Sequence, residues 1–200
     1  AADRTAIGET GAPLSSPSHG EFRAAGDPGG DPRAQLLEMA ADGVNVSLSV
    51  DANSIAPVDM FQVMRTTWYQ GVRWQGDPRT EKLPSLTLPQ VLAMATLNGA
   101  KAIGAGAVSG SITVGKRADI VLMRTTDLNV APRGDLHTMA VKQARASNVD
   151  TVMVDGRILK RAGKITALDM REVLGAAQST AASLRRRAGD WLAAGAPPAS

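Results

Sequence analysis

The segment that most constrains the fold is "DPRAQLLEMAADGVNVSLSV", residues 31–50. Asp31 supplies a helix N-cap and Pro32 a first helical residue. Leu36, Leu37, Met39 and Ala40 make an apolar face, and Gly43 is a stop. Val44, Val46, Leu48 and Val50 then alternate with Asn45, Ser47 and Ser49, which is the period of a strand. A short strand within Gly11–Ser18 stands upstream, across the Gly- and Pro-rich loop "HGEFRAAGDPGGDP". Strand, loop, helix and strand in this order form a βαβ unit, whose two strands lie parallel.

The second strand finishes on Asp51, and a helix pattern opens at Asp59, eight residues on. Asp59 caps that helix, and Met60, Phe61, Val63, Met64 and Trp68 form its stripe. A second helix, "TLPQVLAMATLNGAKAIG", starts at Thr87 or Leu88 before Pro89, is interrupted at Gly99 and ends at Gly104. The pattern then changes. A turn is centred on Val114, Gly115 and Lys116, and an apolar run follows from Ala118 to Met123. Val152 and Val154 lead into Asp155-Gly156, a dipeptide suited to a type I′ turn, and Ile158 and Leu159 leave it. No helix is predicted between these strands, so they form a separate β layer. A long helix capped near Asp169 closes the chain. The predicted division is residues 1–106, 107–166 and 167–200.

Composition narrows the function. The 200 residues include no cysteine, which excludes disulfides and thiolate metal sites and suits a cytoplasmic location. No apolar run reaches the roughly 20 residues that span a bilayer. The N-terminus has no secretory pattern, and it reads as though the chain starts partway through something longer. The net charge is only +3, and Arg185, Arg186 and Arg187 form a solvated helix face, so nucleic acid is not an expected partner.

The strand ending in "SVDANS", the helix opening "DMF", and the ordered series "ATLNGAKAIG", "GSITVGKRADIVL" and "VDTVMVDGRIL" resemble the C-terminal half of the metal-dependent amidohydrolase superfamily. The resemblance is to its cytosine deaminase, triazine chlorohydrolase and adenosylhomocysteine deaminase-like branch, from about Gly11 to about Arg187. It implies an α/β fold: the C-terminal portion of a (β/α)8 TIM-like barrel, with residues 1–106 holding strands seven and eight and the helices that follow them. Residues 107–166 become strands of a small β-sandwich, and residues 167–200 a C-terminal helix and tail. It also implies a metal site where the barrel strands end, which is where such barrels place their chemistry.

On local sequence alone Asp51 is either a turn or cap residue or a metal ligand. By the resemblance it matches the metal-binding aspartate of the eighth strand, which also relays a proton in the attack of metal-bound hydroxide. Asn53 and Ser54 beside it, and Glu21 and Arg23 in the loop after the seventh strand, are expected to bind substrate. The metal implied is divalent: zinc, with iron as the alternative. The chain departs from the family in its histidines. Only His19 and His137 exist, and neither stands in a His-x-His. His19 is expected in a solvated loop and His137 in the β layer. Trp68, Tyr69 and Trp74 are either a substrate wall or packing and subunit contacts. The zinc site of such an enzyme needs about three protein ligands, and this chain supplies one. Two functions therefore stand. One is part of a metal-dependent hydrolase of non-peptide C–N bonds, completed by an N-terminal barrel half or partner chain and homo-oligomeric when intact. The other is a truncated, non-catalytic folding or interaction module.

Overall fold

The computed structural model describes residues 7–16, 32–50, 57–71 and 81–193. Strand β1 (Leu14–Ser16) pairs in parallel with β2 (Val46–Leu48), with Leu14 opposite Val46 and Ser16 opposite Leu48. Helix α1 (Pro32–Ala41) lies between them in sequence, which completes the βαβ unit. Gly43 follows it with φ 78°, and the Val44 amide returns to the Met39 carbonyl at 3.0 Å. This left-handed exit lets the chain drop straight from α1 into β2. Asp31, the expected cap, lies outside the described residues.

The alternation predicts a strand over residues 44–50; the observed one spans three residues, all buried. Ser47 is buried along with Val46 and Leu48, and its hydroxyl donates to the Leu14 carbonyl at 3.1 Å. The alternation of valine and serine therefore does not mark a wet face. A parallel pair is covered on both sides, and a serine is admitted where it finds a backbone acceptor.

Helix α2 (Met60–Gln70) begins as predicted. The Asp59 carboxylate accepts the Phe61 amide at 2.9 Å and the Gln62 amide at 3.4 Å. It buries Val63, Met64, Thr67 and Gln70, with Thr67 Oγ1 bonded back to the Val63 carbonyl. Helix α3 (Leu88–Met94) opens with a capping box between Thr87 and Gln90. The break that follows is at Thr96, not at Gly99. The Thr96 hydroxyl bonds back to the Leu92 carbonyl at 2.7 Å, its backbone leaves the helical region, and a new helix, α4 (Leu97–Ala102), starts with Gly99 inside it. Gly110 then passes directly over α4. A Cβ there would sit 2.6 Å from the Ala100 Cβ and 2.9 Å from the Leu97 Cα, a closeness only glycine permits.

The core joins Leu36 and Leu37 of α1, Val46 and Leu48 of β2, Val63 and Met64 of α2, Val91 and Met94 of α3, and Val141. Val141 corrects the expectation of a purely β layer after residue 106. Between β3 (Ile120–Met123) and β4 (Val149–Val154) the chain makes a helical excursion, α5 (Leu136–Thr138), continued as a π-helix over Met139–Gln143. Asp135 caps it by accepting the Thr138 amide at 2.7 Å. Met139 and Val141 turn inward, and Val141 is fully buried. Arg65 of α2 clasps the end of the excursion, donating to the Lys142 carbonyl at 2.7 Å and the Ala144 carbonyl at 2.6 Å. Apolar spacing in "DLHTMAVKQ" is too short to announce a helix, and burial against α2 overrides the local signal.

Strands β3, β4, β5 (Arg157–Arg161) and β6 (Lys164–Ile165) form an antiparallel sheet in chain order. Asp155 (φ 50°) and Gly156 (φ 78°) make the expected type I′ turn. Ala162 (φ 48°) and Gly163 (φ 76°) repeat it between β5 and β6, a second hairpin not foreseen because alanine is an unusual residue at positive φ. Helix α6 (Met170–Ala193) starts on Asp169, whose carboxylate accepts the Arg171 amide at 2.8 Å. It is largely exposed, with Leu174 and Leu184 in solvent.

Candidate functional site

Strands β1 and β2 run parallel, so their C-terminal ends meet at one edge, where the Ser49 amide donates to the Ser16 carbonyl at 3.0 Å. Asp51 follows Leu48 by three residues, and Ser16 leads toward Glu21 and Arg23. Asp51, Asn53, Ser54, Glu21, Arg23, His19 and Trp74 all lie outside the described residues. What is described is the frame that leads to them.

That frame is fixed by side chains reaching main chain. Asn98 of α4 donates from Nδ2 to the Val46 carbonyl at 2.9 Å, and Asn45 donates from Nδ2 to the Asn98 carbonyl at 3.2 Å. In the parallel ladder Asn45, Ser47 and Ser49 turn their backbone groups toward β1, so Val46 faces the opposite edge. The Asn98 amide satisfies its carbonyl there. Neither asparagine was predicted to matter; the only signal was an amide side chain at the foot of a buried strand and another inside a helix.

Asp59 is consumed by the α2 cap, as expected. Trp68 packs against the core, and Lys142 Nζ lies 3.9 Å over its ring. Tyr69 meets Trp68 edge-on at 5.0 Å and is 58% exposed. Of the two alternatives for this pair, the Trp68 environment is packing. His137 is corrected in position. It sits on α5, outside the sheet, with Nδ1 3.7 Å from the Asp135 carboxylate, because the Asp135 cap starts a helical turn there.

The segment after α4 locks that helix to the sheet. Lys116 Nζ donates to the carbonyls of Gly106 and Ser109, and Asp119 accepts the Ser109 hydroxyl and, at 2.7 Å, the Asp155 amide. The Ser109 hydrogen bond first, and the Asp155 amide second, hold the Asp119 carboxyl below its ordinary range. A second network gathers around the buried Asn148. It donates to Asp127 at 2.7 Å and exchanges bonds with Asn129, while Arg124 pairs with Asp127 at 3.2 Å. Arg124, then Asn148, lowers the Asp127 pKa. Both networks tie loops to the sheet.

Among the described residues there is no group of three or more His, Cys, Asp or Glu that could hold a metal ion. The donor set of a zinc site does not fit within these residues. No helix among them is long and apolar enough to cross a membrane.

Residues 28–159 match the amidohydrolase family model. The chain is 38% identical over 141 residues to a 5-methylthioadenosine/S-adenosylhomocysteine deaminase of Moorella thermoacetica, covering 70% of this chain and 32% of that protein. It is 42% identical over 158 residues to a 5′-deoxyadenosine deaminase of Methanothermobacter thermautotrophicus, covering 78% of this chain and 34% of that protein. The chain thus spans about a third of the length of these relatives. Its fold matches that of an adenosine deaminase from Xanthomonas campestris with bound zinc, with a TM-score of 0.80 at 23% identity, over 92% of this chain and 40% of that one. An atrazine chlorohydrolase from Arthrobacter aurescens, complexed with zinc, matches with a TM-score of 0.74 at 15% identity, over 89% and 38%. With the parallel β1–α1–β2 unit, the paired helices α3 and α4 and the hairpin sheet in one order, the chain belongs to the amidohydrolase family.

Proposed function

We propose that this chain is the C-terminal part of a metal-dependent hydrolase of non-peptide C–N bonds, and that the intact protein deaminates an adenine nucleoside with a modified 5′ position. The observation that carries this is the identity of 38% and 42% to deaminases of that substrate class over some three quarters of the chain. Residues 1–106 are the end of a (β/α)8 barrel, 107–166 the sandwich segment with its excursion lent to the barrel core, and 167–200 the closing helix. Asp51 is the metal ligand and catalytic carboxylate, with Glu21, Arg23, Asn53 and Ser54 at the substrate. The capture of Asp59 by its helix supports this to the extent that the second aspartate of the pair has a structural role of its own. The metal is zinc or iron, and its remaining ligands come from an N-terminal barrel half, on the same polypeptide or a partner. The intact enzyme is a homo-oligomer.

The test is ammonia release from 5′-deoxyadenosine or 5′-methylthioadenosine by the intact protein, before and after Asp51→Ala. The substitution is expected to abolish release; undiminished turnover would sink the assignment. A second reading, a non-catalytic folding or interaction module, is favoured by the absence of a three-ligand cluster among the described residues. Stoichiometric zinc in the purified 200-residue chain alone would reject that reading.

A further inference from the structure

Helix α4 carries an Asn-Gly pair, Asn98-Gly99, within its six residues. Among the described residues nothing requires glycine at 99. Its φ lies outside the left-handed region, and a Cβ there would meet only the Met94 carbonyl oxygen, at 3.8 Å, an ordinary contact. Alanine is the better helix former. The glycine does have a chemical consequence. Without a side chain, its backbone nitrogen is the least hindered neighbour the Asn98 carboxamide can have.

We propose that Asn98 is a deamidation site gated by the clamp between α4 and β2. In the reaction the Gly99 nitrogen attacks Asn98 Cγ, and a C–N bond forms. Nδ2 leaves as ammonia, carrying the Gly99 proton. One water then opens the five-membered imide at either carbonyl, leaving aspartate or isoaspartate at position 98. Water enters and ammonia departs, and no oxidant or reductant is needed.

The folded geometry opposes the attack twice. Helical backbone angles turn the Gly99 nitrogen away from Cγ. The carboxamide is also held by its bond to the Val46 carbonyl at 2.9 Å, while Asn45 holds the Asn98 carbonyl at 3.2 Å. Opening is nonetheless local, because α4 is short and Thr96 gives it no side-chain cap. Conversion prevents its own structural reversal. An acid oxygen in place of Nδ2 sets acceptor against acceptor at the Val46 carbonyl, so the clamp cannot re-form and β2 loses its anchor. The inference stands whether or not Asp51 binds metal.

The experiment is incubation of the full chain at mildly alkaline pH, followed by digestion and quantification of acid and isoaspartate forms of the peptide holding position 98. The folded chain is expected to convert at this site, roughly tenfold or more slowly than in urea. Asn45→Ala in the folded state should speed it about threefold, and Gly99→Ala should suppress it. If Asn45→Ala fails to fold, Asn45→Ser serves, and hydrogen exchange at the Gly99 amide in the unmodified chain should track the conversion rate across temperature. Equal rates in the folded and urea samples would overturn the gate. No conversion in the folded chain while urea converts, or an unchanged rate in Gly99→Ala, would overturn the site.

Discussion

The paired strands β1 and β2 and the four-stranded sheet β3–β6 reach order by opposite routes. Strands β1 and β2 are three residues each, separated by a helix, and β2 is buried throughout. Their register depends on long-range contacts: Ser47 to Leu14, Asn98 to Val46, and Leu37 packed into the core cluster. Strands β4, β5 and β6 follow one another through turns with positive φ, β3 joins them across the 136–143 excursion, and Val121, Leu122 and Val154 are about half exposed. One region is specified by burial at a distance and the other by local turn chemistry. Truncating a side chain should therefore be costly in the first, while a backbone-incompatible residue should matter more in the second.

The sharpest way to break that contrast is a matched pair of truncations. Leu37→Ala, at a site 1% exposed, is expected to cost about 2–5 kcal/mol in urea denaturation. Val121→Ala, on the open sheet, should stay within about 0.5 kcal/mol. Equal losses would remove the distinction. Next in size is Arg65→Ala, which strips two charged donors from the Lys142 and Ala144 carbonyls, the latter on a fully buried residue. A loss of about 1.5–3 kcal/mol is expected by the same measurement, and Arg65→Lys should recover only part of it because it cannot reach both carbonyls with a rigid fork. Gly156→Ala tests the other region through its backbone. Its φ of 78° should cost about 1–2 kcal/mol, more than any truncation on β3.

The smallest expected effect is acidic and belongs to the sheet side. Asp119 is held below its ordinary range by Ser109, Asp127 by Arg124, and Asp135 by the Thr138 amide. The unfolded chain binds these protons more readily than the folded one. Their contribution is thus complete above the ordinary aspartate value of ~3.9 and is lost as pH falls through the lower folded values. Thermal melting should show a drop confined to that acid range. Asp119→Asn should flatten part of it, whereas a drop beginning near neutrality would point to other groups.

Much of this was legible in the sequence, for identifiable reasons. The βαβ unit, the Asp59 cap, the Thr87 start and the Asp155-Gly156 turn are local signals with a fixed physical meaning, and each appears where predicted. The misses share the opposite property. The burial of Ser47 could not be read from the sequence because its acceptor, on Leu14, is 33 residues away. The helical excursion at 136–143 depends on a docking surface supplied by α2, and the Thr96 break on a hydroxyl turning back to Leu92. Asp51 and its companions are assigned only by the likeness of ordered motifs, since an aspartate after a strand is common in any fold.

The clasp of Arg65 on residues 142 and 144 has a consequence for how the chain is made. Partners separated by 77 and 79 positions cannot meet until both have been synthesised. The side of the core that Val141 completes therefore cannot be finished until Ala144 has been made, after the turn at Gly115 and strand β3. A nascent chain halted before Val141 would lack the one member of the core cluster, among the described residues, that comes from beyond strand β3.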